Sequence, residues 1–208
     1  KVDRESETLD RRITYRSDDL VTYSPITEKH VDSGMTIGEL CEAALHLSDN
    51  TAANLVLDVL GGPDVLTAYL RDIGDDVTRL DRIEPDLNAA TPGDARDTTT
   101  PNAMRATLTY LLLGDALSLE SRQILEDWLT GNQVGGPLLR AGLPDDWKIA
   151  DRTGAGGFGS RAIVAVIWPP ERKPVIVAIY ITQTSASMEE RNAAIADLGQ
   201  EIAAAIMR

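Results

Sequence analysis

One cysteine, one phenylalanine and two histidines are all that 208 residues hold of the side chains that most often build disulfides, ring-filled cores and metal sites. A lone cysteine makes no disulfide within the chain and no Cys/His metal cluster. Aromatic residues are only 4% of the total, so an aliphatic core has to do most of the packing. No run approaches the roughly 18 apolar residues that a membrane-spanning helix requires. The longest apolar stretches, 163–168 and 175–181, are strand-sized. No apolar leader follows the charged opening Lys1-Val2-Asp3-Arg4, which reads like the interior of a longer protein. Repeats and low-complexity segments are absent as well.

Lysine occurs only at positions 1, 29, 148 and 173, and arginine supplies every other positive side chain. Acidic residues outnumber basic ones by 33 to 20, for a net charge of −13. A field of that sign repels nucleic acid and anionic membranes, which excludes both as partners. The acidity is dispersed over pairs such as Asp18-Asp19, Asp75-Asp76, Asp145-Asp146 and Glu189-Glu190, unlike a disordered acidic tail. An aspartate-rich, lysine-poor surface suits solubility in concentrated salt, and it also suits an ordinary acidic bacterial enzyme. The pairs Asp75-Asp76 and Asp145-Asp146 are candidate weak surface cation sites through oxygen ligands, although paired aspartates are also common in plain solvated turns.

Periodicity divides the chain in two. Apolar residues at 37, 40, 41, 44 and 47 predict a helix over Ile37–Leu47, with Cys41 as a small buried hydrophobe. Further helices are expected at 49–60, stopped by Gly61-Gly62-Pro63, at 63–73, at 101–113 behind Thr100 as cap, at 117–128, and briefly at 137–142. Residues 75–97 form a long polar loop with prolines at 85 and 92, a type that is usually functional or disordered. Beyond Leu143 the residues are β-branched, and strands are expected at 148–153, Arg161–Trp168 and 175–183, joined by short turns into an antiparallel sheet. Ser187-Met188-Glu189-Glu190 matches a capping box that opens a last helix to Met207. The domains read as an all-α part at 1–136, including the loop 75–97, and a sheet-and-helix part at 137–208.

Three short motifs carry chemistry. Ser48-Asp49-Asn50 stands at a helix junction, where by itself it is an N-cap. Arg152-Thr153-Gly154 leaves a strand and by itself is a turn. Glu84-Pro85-Asp86-Leu87-Asn88 lies in the long loop, where a carboxylate is usually just solvated. In this order they resemble the signature of class A serine β-lactamases. The resemblance extends to Asp19 through Pro25, Ser48 through Asn54, Arg79 through Asn88, Arg96 through Thr99 and Met188 through Asn192, and so covers essentially the whole chain.

This resemblance implies an α+β two-domain fold of the serine β-lactamase and penicillin-binding-protein type, with an all-α domain beside an antiparallel sheet flanked by helices. It implies hydrolysis of β-lactam antibiotics without cofactor or metal, in the periplasm, by a protein that is monomeric once complete. Glu84 takes the place of the base that activates the deacylating water, and Asn88 holds that water. Ser48 relays a proton to the leaving nitrogen, and Asn50 binds the substrate's side-chain amide. Thr153 and Arg161 bind the substrate carboxylate with Arg152 behind them. The Ala155 N–H is half of an oxyanion hole, and Tyr23 walls the cleft. Asp49 is structural, Arg82 and Asp97 pair across the neck of the loop, and Cys41 pairs with a cysteine outside the chain. Arg152 stands where most of the family has lysine, and with Gly157-Phe158-Gly159-Ser160-Arg161 it resembles the carbenicillin-hydrolysing branch.

No serine, from Ser6 to Ser187, has a lysine three places on. The nucleophile segment Ser-x-x-Lys, and two strands of the sheet, are therefore expected upstream of Lys1, leaving the sheet incomplete in this chain. The competing readings are a penicillin-binding transpeptidase that acylates without efficient turnover, and a fragment that holds ligand without catalysis. The histidines offer no substitute triad, since His46 lies on an apolar helix face.

Overall fold

Side-chain caps set most of the helix starts. The Thr36 hydroxyl accepts the Glu39 N–H while the Glu39 carboxylate accepts the Thr36 N–H, and this reciprocal box opens α1 (Ile37–Leu47). Ser48 ends α1 in the left-handed region, at φ 59° and ψ 35°. Asp49 then caps α2 (Asn50–Leu60), which stops at the left-handed Gly61. Pro63 at the first position starts α3 (Pro63–Asp72), and Thr100 caps α4 (Pro101–Leu112). Ser118 accepts the Ser121 N–H to open α5 (Leu119–Thr130). Ser187 and Glu190 form a second capping box, at the head of the twenty-residue α6 (Met188–Met207).

The computed structural model describes all 208 residues. Two short strands, β1 (Arg12–Ile13) and β2 (Met35–Thr36), pair antiparallel, so the first part of the chain is not wholly helical. The main sheet is antiparallel in the order β3 (Lys148–Ala155), β4 (Arg161–Trp168), β5 (Val175–Ile181), with Arg152 opposite Val164 and Arg161 opposite Ile181.

Alternation along these strands gives the sheet two apolar faces. Ile149, Ile163, Ile167 and Val177 form one core with Leu138, Leu139, Leu143 and Ile195 of α6. Ala150 and Val166 on the other face pack against Leu108 and Leu112 of α4 and Leu129 of α5. A third core, including Tyr15, Met35, Leu40, Ala43 and Ala52, holds α1 and α2 to the preceding loops. No helix is long and apolar enough to cross a membrane.

Several expected bounds shift: the strand expected at 148–153 runs on to Ala155, and the one expected at 175–183 stops at Ile181. The helix expected over 117–128, with Ser118 or a neighbour as its cap, runs over Leu119–Thr130 with Ser118 as that cap. The helix expected at 137–142 is a single wide turn, Gly136–Arg140, broken at Leu138 (φ −103°, ψ −128°), where Leu138 and Leu139 both turn into the core.

The long loop is closed by polar anchors. Asp75 is buried, and its carboxylate accepts the N–H groups of Val77 and Thr78 and the hydroxyls of Thr78 and Thr107. It ties the loop to α4, which corrects its reading as a surface cation ligand. Asp145 and Asp146 are exposed, and no group of three or more acidic, histidine or cysteine side chains is gathered for a metal ion around either pair. Asp76 is exposed.

Candidate active site

The α1–α2 junction is built around one carboxylate. Asp49 is fully buried, and Oδ1 accepts the Ala52 N–H at 2.9 Å and the Thr27 hydroxyl at 2.8 Å. Oδ2 accepts the N–H groups of Ile26 and Thr27, both at 2.9 Å. Four donors on one buried carboxylate satisfy it without a cation and pin the loop 20–27 to the start of α2. Asn50 extends the pinning: its side-chain amide donates to the Thr22 carbonyl at 2.9 Å and its N–H to the Tyr23 carbonyl at 3.0 Å. Tyr23 is thereby held at φ 65°, and the residue is 55% exposed. Ser48, one residue before Asp49, is half-buried.

Glu84 is positioned through its backbone. The Asn54 side chain on α2 donates to the Glu84 carbonyl at 2.9 Å and accepts the Glu84 N–H at 2.8 Å. The peptide between Glu84 and Pro85 is cis, and a 3-10 turn at Asp86–Asn88 follows. Asn88 donates its amide to the Glu84 carboxylate. Burial pushes the Glu84 pKa up, against the Asn88 amide and the charge of Arg152, which favour the ionised form.

The neck of the loop is held by Asp97, whose Oδ1 accepts the N–H groups of Asp81 (2.7 Å) and Arg82 (2.9 Å), while Oδ2 pairs with the Arg82 guanidinium. On the opposite side the Gly157 N–H donates to the Asn88 carbonyl at 2.8 Å. A Cβ at Gly157 would lie 2.3 Å from the Ala89 carbonyl oxygen, so the close approach of loop to sheet requires glycine there.

β3 and β4 supply the positive side. Arg152 is half-buried with one guanidinium nitrogen, Nη1, left without a partner. Burial lowers its pKa, while the carboxylates of Asp151 and Glu84 hold it up. Arg161 donates to Asn192 Oδ1 at 2.8 Å and to the Gly154 carbonyl at 3.2 Å, and burial followed by the neighbouring Arg191 lowers its pKa. Ala155 ends β3 with its residue exposed. A cleft of about 590 Å³ runs between loop, α4 and sheet, and Asn88, Arg152, Thr153, Ala155 and Arg161 line it. Ser48, Asn50, Glu84 and Tyr23 lie outside that lining. The cleft therefore brings together Arg152, Arg161, Asn88 and the exposed end of β3, while the Glu84 carboxylate, which burial pushes toward the protonated form, is tied to it through its bond to Asn88.

A family model described as the beta-lactamase enzyme family matches residues 1–206. The solved structure of an ancestral (GNCA) class A β-lactamase superposes with a TM-score of 0.97 at 61% identity, covering 98% of this chain and 78% of that one. This chain belongs to the class A β-lactamase family. A reconstruction of the last common ancestor of Gram-negative bacteria (GNCA4), also class A, gives a TM-score of 0.97 at 60% identity over 99% of this chain and 78% of its own. Beta-lactamase AER-1 of Aeromonas hydrophila is 58% identical over 200 residues, which are 96% of this chain and 66% of that protein. The chain thus spans about two thirds of the curated relative's length.

Within this class A fold, sequence reasoning gave no role to Asn54, Asn132, Arg140 or Asp151. Asn54 had a signal, since an amide inside an aliphatic helix usually has a specific hydrogen-bonding reason to be there. Asp151 had one too, as a charge in the middle of a β-branched strand. Cys41 is partly buried and unpaired within the chain, and burial raises its thiol pKa to about 11.

Proposed function

We propose that this protein hydrolyses β-lactam antibiotics through an acyl-enzyme on a serine that lies outside residues 1–208. The observation that carries the reading is Glu84, clamped by Asn54, bonded to Asn88 and with its pKa raised by burial. Glu84 takes a proton from the deacylating water that Asn88 orients, and returns it as the acyl-enzyme opens. Ser48 passes a proton to the lactam nitrogen. Asn50 and Tyr23 meet the substrate's side chain, and the Ala155 N–H stabilises the oxyanion. Thr153, Arg152 and Arg161 hold the carboxylate, and the unpartnered Nη1 of Arg152 supports that role.

The forked cation at 152 favours penicillins with a second carboxylate, such as carbenicillin. The family relationship supports a periplasmic location, a monomeric complete enzyme and a disulfide from Cys41 to an upstream cysteine. The dispersed acidity supports salt tolerance. The lack of a Ser-x-x-Lys pair favours one second reading, a ligand-holding fragment without turnover.

The test is nitrocefin hydrolysis by residues 1–208 alone and by the protein extended with its upstream segment. Turnover only with the extension supports the proposal. Glu84→Gln in the extended protein should accumulate a penicilloyl adduct by mass spectrometry. No turnover in either form leaves the fragment reading, and normal turnover by Glu84→Gln removes Glu84 as the base.

A further inference from the structure

The face of β3 opposite Arg152 carries a buried polar cluster that the reaction does not use. Asp151, between Ala150 and Arg152, has a fully buried side chain. Its Oδ1 accepts from Arg140 Nε at 2.6 Å and its Oδ2 from the Asn132 amide at 2.7 Å. Arg140 also reaches the carbonyls of Thr130 at the end of α5 (3.0 Å) and Ile149 of β3 (3.3 Å). Asn132 is itself buried, and its Oδ1 accepts the Val134 N–H at 3.0 Å.

β3 is an edge strand of its sheet. α5 packs on one face of that sheet, and Leu138 and Leu139 of the following wide turn pack on the other. The segment 131–140 therefore passes round the outer edge of β3 and grips it at Asp151. The same segment is tied to the far wall of the cleft, because the Gln133 N–H donates to the His46 carbonyl at 2.9 Å, two residues before Ser48.

We propose that Asn132, Asp151 and Arg140 are positioning residues: a brace that fixes β3 in depth and sets the distance between its Arg152-Thr153 segment and the Ser48 wall. Burying an aspartate costs free energy that Arg140 and Asn132 offset only in part, since burial still outweighs them and pushes the Asp151 pKa up. The side chain returns that cost as a fixed strand position, since a charge with directional partners tolerates little displacement. Arg152 and Thr153 follow Asp151 without an intervening residue, so a slip of the grip moves both. In the proposed reaction these two bind a carboxylate that stays bound from substrate to transition state. Their displacement therefore raises KM and leaves kcat nearly unchanged.

The inference rests on the β-lactamase reading, so its test has one arm that does not. In the extended protein, Asn132→Ala removes one arm of the brace without exposing a buried charge. It should raise KM for benzylpenicillin about tenfold and change kcat less than about threefold, as expected for lost uniform binding. Asp151→Asn should give the same split more strongly, and if it fails to fold, Asn132→Ala decides alone. Hydrogen–deuterium exchange is read in parallel on the folded protein, with or without turnover. Amides 151–155 should exchange faster in Asn132→Ala, while those of β5 keep their wild-type rate. Wild-type protein that hydrolyses no β-lactam sinks the reaction and leaves the exchange arm to judge the brace. Unchanged KM beside a lowered melting temperature, or unchanged exchange at 151–155, overturns the brace itself.

Discussion

Asn54→Ala removes the only side chain that grips the backbone of Glu84 from α2, and its cost can be worked from the two bonds lost. Their lengths, 2.9 Å and 2.8 Å, are those of well-formed amide bonds, and both partners are backbone groups in a half-buried setting. Each such bond contributes about 1 kcal/mol net, and more where the partner is left unsatisfied, so the loss is about 2–3 kcal/mol. The loop remains closed by Asp97 at its neck and by Gly157 against Asn88, so the protein should fold with a displaced Glu84. Moving a general base by about an ångström costs on the order of a hundredfold in rate. Acylation does not use Glu84 in the proposed mechanism, so the loss should fall on deacylation alone. Stopped-flow acylation of the extended protein, followed by mass spectrometry of the adduct's lifetime, separates the two steps. A lowered melting temperature with an unchanged adduct lifetime would refute the claim that Asn54 sets the position of the base.

Four further outcomes are expected. In the proposed reaction Glu84 acts as the carboxylate, so deacylation should fall as pH drops through a pKa above the ordinary 4.5; Asn88→Ala deletes a bond to the ionised form and should move that limb to higher pH, whereas a limb that stays put would deny the Asn88 contact any effect on the base. Arg152→Lys should reduce kcat/KM for carbenicillin more than for benzylpenicillin, by about 1 kcal/mol of specificity, and equal losses would make Arg152 a generic carboxylate anchor. Cys41, with its thiol pKa raised to about 11, should resist alkylation in native residues 1–208 and give no free thiol in the unfolded, unreduced extended protein; a titratable thiol there ends the disulfide proposal. Thermal melts should rise from low to molar sodium chloride as screening relieves the charge of −13, and a flat curve would leave the acidity without that role.

Where local rules act alone, the sequence was readable to the residue. The apolar spacing of α1 and the β-branched run of β4 gave their observed limits, and Ser187 with Glu190 gave the head of α6. The misplacements came where two signals competed. Leu117 looks like the start of an apolar helix face, and Ser118 as a candidate cap competes with it; the Ser118 hydroxyl takes the Ser121 N–H and leaves Leu117 outside. Asp75 looks like half of a surface pair, yet it turns inward because Thr107, far along the chain, supplies a hydroxyl. The two-residue β1 and β2 are too short to show any period. For the site, composition and spacing offered three weak motifs, and the family resemblance assigned their roles. The supports stayed hidden because Asn54, Asn132 and Arg140 act across 30, 19 and 11 residues, on partners no local pattern names.

The grip of Asn54 on residue 84 is made to main chain only, and this separates what the loop presents from how it is held. Any amino acid but proline, which lacks the N–H, meets the same amide with the same two groups at 84, so an exchange of the side chain leaves the mounting intact. Such a scaffold behaves like a socket. Selection acting on the chemistry can try new side chains at one position, while selection acting on foldability continues to read another.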